Sequence, residues 1–388
     1  QMTRATLSQV LQPALRDGYA VAGFVCLGWE DARAFTMAAE AEGKPVILQA
    51  GPGCRAHTPL PVLGAMFRTL ADSVTVPVVL HLDHGRTLDE AREAIAEGFT
   101  SVMFDGSALP LDENIRQTAE IAALAHANDV SCEGEIGFVG YAGGAASAVT
   151  DPDEAARFAR ETGVDAMAIA VGNVHLQQDH SGGIDETALA AIAHATRGTV
   201  PLVIHGGSGV PPDQRARLAR TTPICKFNIG TELRQTFGTA LRQMLHDHPE
   251  EFDRLKVLSA TEAPMTQHAR VILRNLPFDA TEADVRRLSA PSFVWRADVP
   301  RVDGSSGSGP GRGRGFAFAS FCDYRSAAAA LAAANGAKLR GRAVAADWAV
   351  AKLAYAQAQQ EALAAGGQEQ QQEQQEEEGE EEAWQAAE

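Results

Sequence analysis

Five short stretches of this chain gather the groups that hold cations and move protons. They are His81-Leu82-Asp83-His84-Gly85, the pair Glu133 and Glu135, the run Val171-Gly172-Asn173-Val174-His175, His205-Gly206-Gly207-Ser208-Gly209, and Asn228-Ile229-Gly230-Thr231-Glu232. Imidazoles and carboxylates with no cysteine among them suit Zn2+ or another first-row divalent ion. Such an ion polarises carbonyl oxygens, and a neighbouring carboxylate can take or return a proton. The glycines of 206–209 expose backbone N–H groups ahead of a helix, a setting that suits a phosphate. A second chemistry is open, because Lys226 shares side-chain parity with Asn228. An inward lysine can form an imine with a ketone. That route leaves the histidines without a task.

The stretches lie far apart in sequence, so a fold must bring them together. Short apolar runs alternate with amphipathic stretches from Val21 onward. The runs are Val21–Val25, Val46–Ala50, Val78–Asp83, Ser101–Asp105, Val130–Ile136, Ala166–Val171, Leu202–His205 and Ile224–Ile229. Helical patterns follow them at Trp29–Glu42, Leu60–Asp72, Leu88–Glu97, Leu111–Ala127, Asp153–Thr162, Glu186–Thr196, Pro212–Arg220 and Thr231–His246. Continuous apolar runs are what a parallel sheet buried on both faces requires. Eight strand–helix units in about 245 residues predict a (β/α)8 TIM barrel. A doubly wound sheet is the structural alternative, but no GxGxxG follows the first strand. In a barrel every chemical stretch falls at the C-terminal end of a strand, where they can converge on one axial point. The loops after strands 7 and 8 are then the expected phosphate site.

The net charge of −17 averages three unlike segments: −13 over residues 1–267, +6 over 268–360 and −10 over 361–388. A basic module can meet nucleic acid, so the acidic total does not exclude that partner. The middle segment reads βαββαβ: Arg270–Arg274, a helix at Thr281–Leu288, a strand near Val294–Val299, a Gly/Ser/Arg-rich loop Gly304–Gly315, Phe316–Phe321, a helix at Ser326–Asn335 and Ala343–Asp347. Phe316 and Phe318 alternate with Ala317 and Ala319, so one sheet face is aromatic and the other small. Such a face stacks on bases while Arg312 and Arg314 meet phosphate. The expected division is a barrel over 1–262, a linker at 263–267, the second module over 268–350, and a helix with a Gln/Glu-rich disordered tail over 351–388. No run of 18 apolar residues exists, so no membrane span is expected. No basic-then-apolar pattern opens this sequence, so no secretory signal is expected from it. Five scattered cysteines, never in a CxxC pair, point to a reducing compartment.

Taken in order, the five motifs resemble the class II, metal-dependent fructose-/tagatose-bisphosphate aldolases over about residues 3–250. The resemblance implies a lyase that cleaves or condenses a ketose phosphate. It places His84, Glu135, His175 and His205 at metal-ligand positions, with Glu135 serving a resting position of the ion. Asp83 takes the position of the acid/base that handles the aldehyde-side hydroxyl. Gly206, Ser208, Gly230 and Thr231 match the ketose-phosphate cradle, and Asn228 the contact to the reacting ketone end. A homo-oligomer through the barrel and a cytoplasmic location go with this reading. Three positions and one loop depart from the family pattern: Val25 replaces an asparagine, Gly51 a serine and Leu176 a glycine, and the loop Val139-Gly140-Tyr141-Ala142-Gly143-Gly144 lacks the usual carboxylates.

Residues 268–355 are similar to an RNA-recognition motif of nucleolar ribosome-biogenesis proteins. Arg314–Phe321 fits the RNP1 pattern and Val271–Leu276 the RNP2 pattern, with Ile272 where an aromatic is usual. This implies single-stranded RNA as a partner and offers the nucleus or nucleolus as an alternative location. Two further readings stay open: an RNA-binding protein whose barrel is a non-catalytic scaffold, and two unrelated genes joined at the short seam Ser259–Gln267.

Overall fold

The computed structural model describes residues 3–142, 144, 147–178, 183–266, 270–290, 296–301, 314–320 and 324–348. Eight parallel strands close into a barrel in which each pairs with its sequence neighbour. They are β1 (Val21–Val25), β2 (Val46–Ala50), β3 (Val78–Gly85), β4 (Ser101–Phe104), β5 (Ser131–Ile136), β6 (Ala166–Ile169), β7 (Leu202–Ile204) and β8 (Ile224–Ile229). All eight expected helices start within a residue of the expected position, and local caps explain several. Thr87 accepts from the Glu90 amide, Asp151 from Asp153 and Glu154, and Asp185 from Thr187 and Ala188. Each side-chain oxygen satisfies amides that a helix start leaves without partners. Glycines in the left-handed conformation end the helices before Gly43 and Gly163.

Two apolar layers hold the barrel. The larger lies between the strands and the surrounding helices and includes Phe35, Phe67, Phe99 and Phe158. The smaller closes the N-terminal end. There the helix Leu7–Asp17, which the strand–helix alternation did not announce, sets Leu7, Val10, Leu11 and Ala14 against Val21, Ile47, Val79, Ala166, Val203 and Cys225. With that end plugged, the other end carries the chemistry. A further helix, Arg254–Thr266, packs on Trp29–Glu42 and Thr231–Asp247. It buries Met265 and pairs Arg33 with Glu262. The segment expected as a linker is therefore helical to Thr266, with residues 267–269 outside the described set.

β6 also ends earlier than expected, at Ile169. The Asn173 side chain accepts from the Val171 amide and turns the chain, helped by Gly172 at φ +91°. Val174–His175 then pairs with Gly140–Tyr141 in a two-stranded parallel sheet above the barrel mouth.

The second module has a four-stranded antiparallel sheet in the order Arg296–Asp298, Phe316–Ser320, Arg270–Arg274, Ala345–Trp348. Helices Glu282–Leu288 and Tyr324–Ala334 accompany it. The last strand begins later than expected because Arg342–Ala343 first forms a hairpin with Lys338–Leu339. Arg340 and Gly341, both at positive φ, make its two-residue turn. Ala317 and Ala319 are buried in the module's core. The expectations for 351–388, for Arg312 and for most of the 304–315 loop fall outside the described residues.

Candidate active site and metal centre

The end of β3 supplies two consecutive functional side chains. Strand side chains normally alternate faces, but the pairing of β3 with β4 shifts between Leu82 and Gly85, and His84 sits at φ +50°. That irregularity re-aims a residue that alternation would turn away. The buried Arg55 guanidinium fixes the bend by donating to the carbonyls of Ala50 and Asp83, both at 2.6 Å, and His84 at 3.1 Å. Asp83 is buried, and its Oδ1 accepts from Gln49 Nε2 at 2.8 Å and Asn228 Nδ2 at 3.4 Å.

Two strand ends, of β3 and β7, and the mouth sheet bring the imidazoles together. The ring centroids of His84 and His205 are 4.6 Å apart, those of His84 and His175 5.2 Å, and those of His175 and His205 5.7 Å. One nitrogen from each lies within 4.8 Å of the others. Glu135, Asp105 and His84 form a second such set. Glu135 Oε2 and His205 Nδ1 are buried without a hydrogen-bond partner and lie 3.5 Å apart. Buried polar atoms are rarely left in that state. Two orphaned ligand-type atoms aimed at one point, in a cysteine-free set of three imidazoles and a carboxylate, fit Zn2+ or a similar divalent cation.

The electrostatics agree. Burial opposes charge on His84, yet Asp83, the 3.0 Å bond to Asp105 and the nearby Glu135 outweigh it and push the imidazole up to about 9. Burial pushes the Glu135 carboxyl up to about 8. Burial, with His84 adding to it, takes His175 down to about 4 and His205 well below the ordinary range. Burial disfavours ionised Asp105, but the bond to His84 overrides it and holds the carboxyl well below its ordinary value. The cluster thus keeps positive charge at its centre among carboxylates.

Beside it, the loops after β7 and β8 are tied into one unit. Gly206 has φ +63°, and a Cβ there would lie 2.0 Å from the Val174 carbonyl oxygen, so only glycine lets the loop after β7 approach the mouth sheet this closely. The Ser208 hydroxyl accepts from the amides of Gly230 at 3.1 Å and Glu232 at 3.4 Å. Arg215, also buried, donates to the Gly207 carbonyl and grips Glu232 with both terminal nitrogens. Thr231 opens the helix Thr231–Asp247 with Gly230 as its cap, and Ser208 bonds to the Gly230 and Glu232 amides, so Ser208, Gly230 and Thr231 border one helix N-terminus, with Gly206 two residues before Ser208.

The structure gathers every expected barrel residue at this one mouth. It adds Gln49, Arg55, Asp105 and Arg215, which motif reasoning missed, and gives tasks to Asn173 and Glu232, which lay in the motifs without one. Gln49 had a signal, as the polar break in the apolar run Val46–Ala50. Arg55 and Arg215 had none, since a lone arginine on a helix reads as solvated. The imine alternative loses its lysine, because Lys226 is fully buried with its ammonium 2.6 Å from Glu133 Oε2.

The departures also have structural expression. Val25 packs where a Cβ on Gly230 would touch it, at 3.1 Å. A Cβ at Gly51 would sit 3.4 Å from Asp83 Oδ2. Leu176 holds φ +59°, a conformation suited to the glycine it replaces. The Tyr141 ring lies 5.0 Å from His175 at an interplanar angle of 31°, so an aromatic faces the imidazole cluster from the loop that lacks carboxylates.

On the second module, Phe316 and Phe318 are half-buried on the face opposite the core, with ring centroids 5.7 Å apart. Arg314 is exposed at the start of their strand. Arg342 stacks over Phe278 at 5.2 Å.

The family profile described as fructose-bisphosphate aldolase class-II matches residues 5–278. The chain belongs to this family. It is 38% identical over 255 residues to the 6-phospho-5-dehydro-2-deoxy-D-gluconate aldolase of Shouchella clausii, covering 64% of this chain and 85% of that one. It is 36% identical over 253 residues to the fructose-bisphosphate aldolase of Streptococcus pyogenes serotype M3, with the same coverage of each chain. Among solved structures, the YdjI aldolase from Escherichia coli K12 superposes with a TM-score of 0.59 at 31% identity, over 68% of this chain and 95% of that one. An RNA recognition motif profile matches residues 271–345. The chain is thus a class II aldolase barrel with an RNA recognition motif at its C-terminal side. No helix among the described residues is long and apolar enough to cross a membrane.

Proposed function

We propose that the barrel catalyses reversible aldol cleavage of a phosphorylated ketose with zinc as its resident ion. The observation that carries this is the convergence of His84, His175 and His205 beside Asp83, with two orphaned ligand atoms between them. The three imidazoles would hold the ion, with Glu135 as an alternative ligand. Bound there, the cation supplies Lewis-acid stabilisation for negative charge developing on the ketone end of the substrate. The other tasks belong to the chain. Gln49 and Asn228 engage Asp83 Oδ1 and so orient the carboxylate that takes the proton from the hydroxyl of the departing aldehyde. Asn228 contacts the reacting ketone end. Ser208, Gly230 and Thr231, with Gly206 two residues before Ser208, border the helix N-terminus that receives the phosphate. The loop after β5 offers Tyr141 in place of carboxylates, which favours a substrate other than an ordinary ketose bisphosphate.

The C-terminal motif binds single-stranded RNA by stacking bases on Phe316 and Phe318, with Arg312 and Arg314 on phosphates. The barrel self-associates into a homo-oligomer. Buried free cysteines at 26, 54, 132 and 225 fit the cytoplasm or the nucleus. Metal analysis of the purified full chain, followed by an aldol-cleavage screen over ketose phosphates, tests the barrel. One divalent ion per chain and turnover of one phosphate ester are expected. A chain that holds no ion refutes the reading. A metal-loaded chain that cleaves nothing transfers support to an RNA-binding protein with a scaffold barrel. Detection of only separate pieces, by intact mass across Ala260–Arg270, sinks the two-module chain itself.

A further inference from the structure

Beneath the imidazole cluster lies a buried chain of polar groups with no assigned task. His81 Nδ1 is 2.8 Å from Ser101 Oγ, and His81 Nε2 is 3.3 Å from Lys226 Nζ. Lys226 Nζ is 2.6 Å from Glu133 Oε2, and Glu133 Oε1 is 3.1 Å from His205 Nε2. All five residues are buried, and Gly23 gives the lysine stem its passage, since a Cβ there would come within 3.0 Å of Lys226 Cε.

The donor and acceptor roles close in one way. An ammonium only donates, and an ionised carboxylate only accepts. His81 must therefore accept at Nε2 and donate from Nδ1 to Ser101. Glu133 accepts from Lys226 at one oxygen, so its other oxygen accepts from His205 Nε2–H. The His205 lone pair is thereby left on Nδ1, the orphaned atom facing Glu135. We propose that the Lys226–Glu133 ion pair is a tautomer lock: it holds the His205 proton on Nε2 and presents Nδ1 to the metal. Glu133 and Lys226 are positioning residues, and the lock rests on the reading of the cluster as a metal centre. Carboxylates behind metal-bound histidines have this orienting effect, and their loss costs roughly 10–100-fold in metal affinity.

Glu133→Gln makes the lock run backwards. The ammonium draws the amide oxygen, so the amide NH2 faces His205, which must then accept at Nε2 and carry its proton on Nδ1. The test combines 15N histidine spectra of the metal-free full chain with Zn2+ titration against a chromophoric chelator. In the unmodified protein His205 is expected as the Nε2–H tautomer and His81 as Nδ1–H, a measurement that needs no variant to fold. In Glu133→Gln the His205 pattern inverts and Zn2+ binds roughly 10–100-fold more weakly. An Nδ1–H His205 in the unmodified protein overturns the lock, as does a Glu133→Gln chain with unchanged zinc affinity. If the unmodified protein shows both tautomers as expected yet takes up no Zn2+, it is the metal centre that fails, and the ligand role of Nδ1 with it.

Discussion

Asp83→Asn separates proton transfer from metal binding. The asparagine keeps the shape of the side chain, and its carbonyl oxygen can still accept from Gln49 Nε2 and Asn228 Nδ2, the two bonds that now orient Oδ1. What disappears is a carboxylate able to take a proton. General acid–base groups contribute typically 100- to 10,000-fold, which corresponds to about 3–5 kcal/mol in the barrier. Turnover of the substrate found in the cleavage screen should fall by that factor. Metal uptake should survive, because Asp83 is the leading influence that holds the His84 proton against desolvation. Removing that charge makes His84 easier to deprotonate, which favours ligation. The assay is steady-state cleavage alongside zinc content by atomic emission on the same samples. Activity within threefold of the unmodified protein would refute the acid/base assignment. Loss of zinc together with activity would recast Asp83 as a support for the ion.

Other perturbations probe the neighbouring groups. His84→Ala or His205→Ala should abolish uptake of the divalent ion, and unchanged metal content in both refutes the site. Zinc binding should release about one to two protons at pH 7, because His84 is pushed up to about 9 and Glu135 up to about 8. Calorimetry in buffers of different ionisation enthalpy reads that number, and affinity should rise as pH climbs from 6 towards 9. Leu176→Gly should stabilise the metal-free chain by about 0.5–1 kcal/mol, the net of relieved left-handed strain and greater unfolded-chain entropy. Denaturant unfolding that shows a loss contradicts the strain argument. Phe316→Ala with Phe318→Ala should weaken single-stranded RNA binding by about 1–3 kcal/mol per unstacked base. Equal affinity in a filter or anisotropy assay counts against stacking.

The barrel was legible in the sequence because parallel strands buried on both faces write themselves as apolar runs, and caps such as Thr87 and Asp151 mark where helices begin. The grouping of the imidazoles was legible for a related reason. A barrel confines chemistry to strand ends, so a histidine's place in the alternation already says which way it can face. What stayed hidden depends on contacts between distant segments. The helix Leu7–Asp17 is a plug only because six strands present apolar residues at their N-terminal ends. Arg55 matters because the chain bends at His84, and that bend is a register shift between β3 and β4 that no local pattern announces.

The departures make the same point about function. Val25, Gly51, Leu176 and Tyr141 are separate substitutions in sequence, but the structure sets each of them against the working parts of the mouth. Val25 lies on the Gly230 cradle, Gly51 beside Asp83, Leu176 after His175, and Tyr141 across the His175 ring. The imidazoles, Asp83 and Asn228 keep their types. The three imidazoles stand together beside Asp105 and Glu135, with Glu135 Oε2 and His205 Nδ1 buried and without hydrogen-bond partners. Changes set against the working parts leave two outcomes, an altered substrate or an abandoned site, and the cleavage screen over ketose phosphates distinguishes the two.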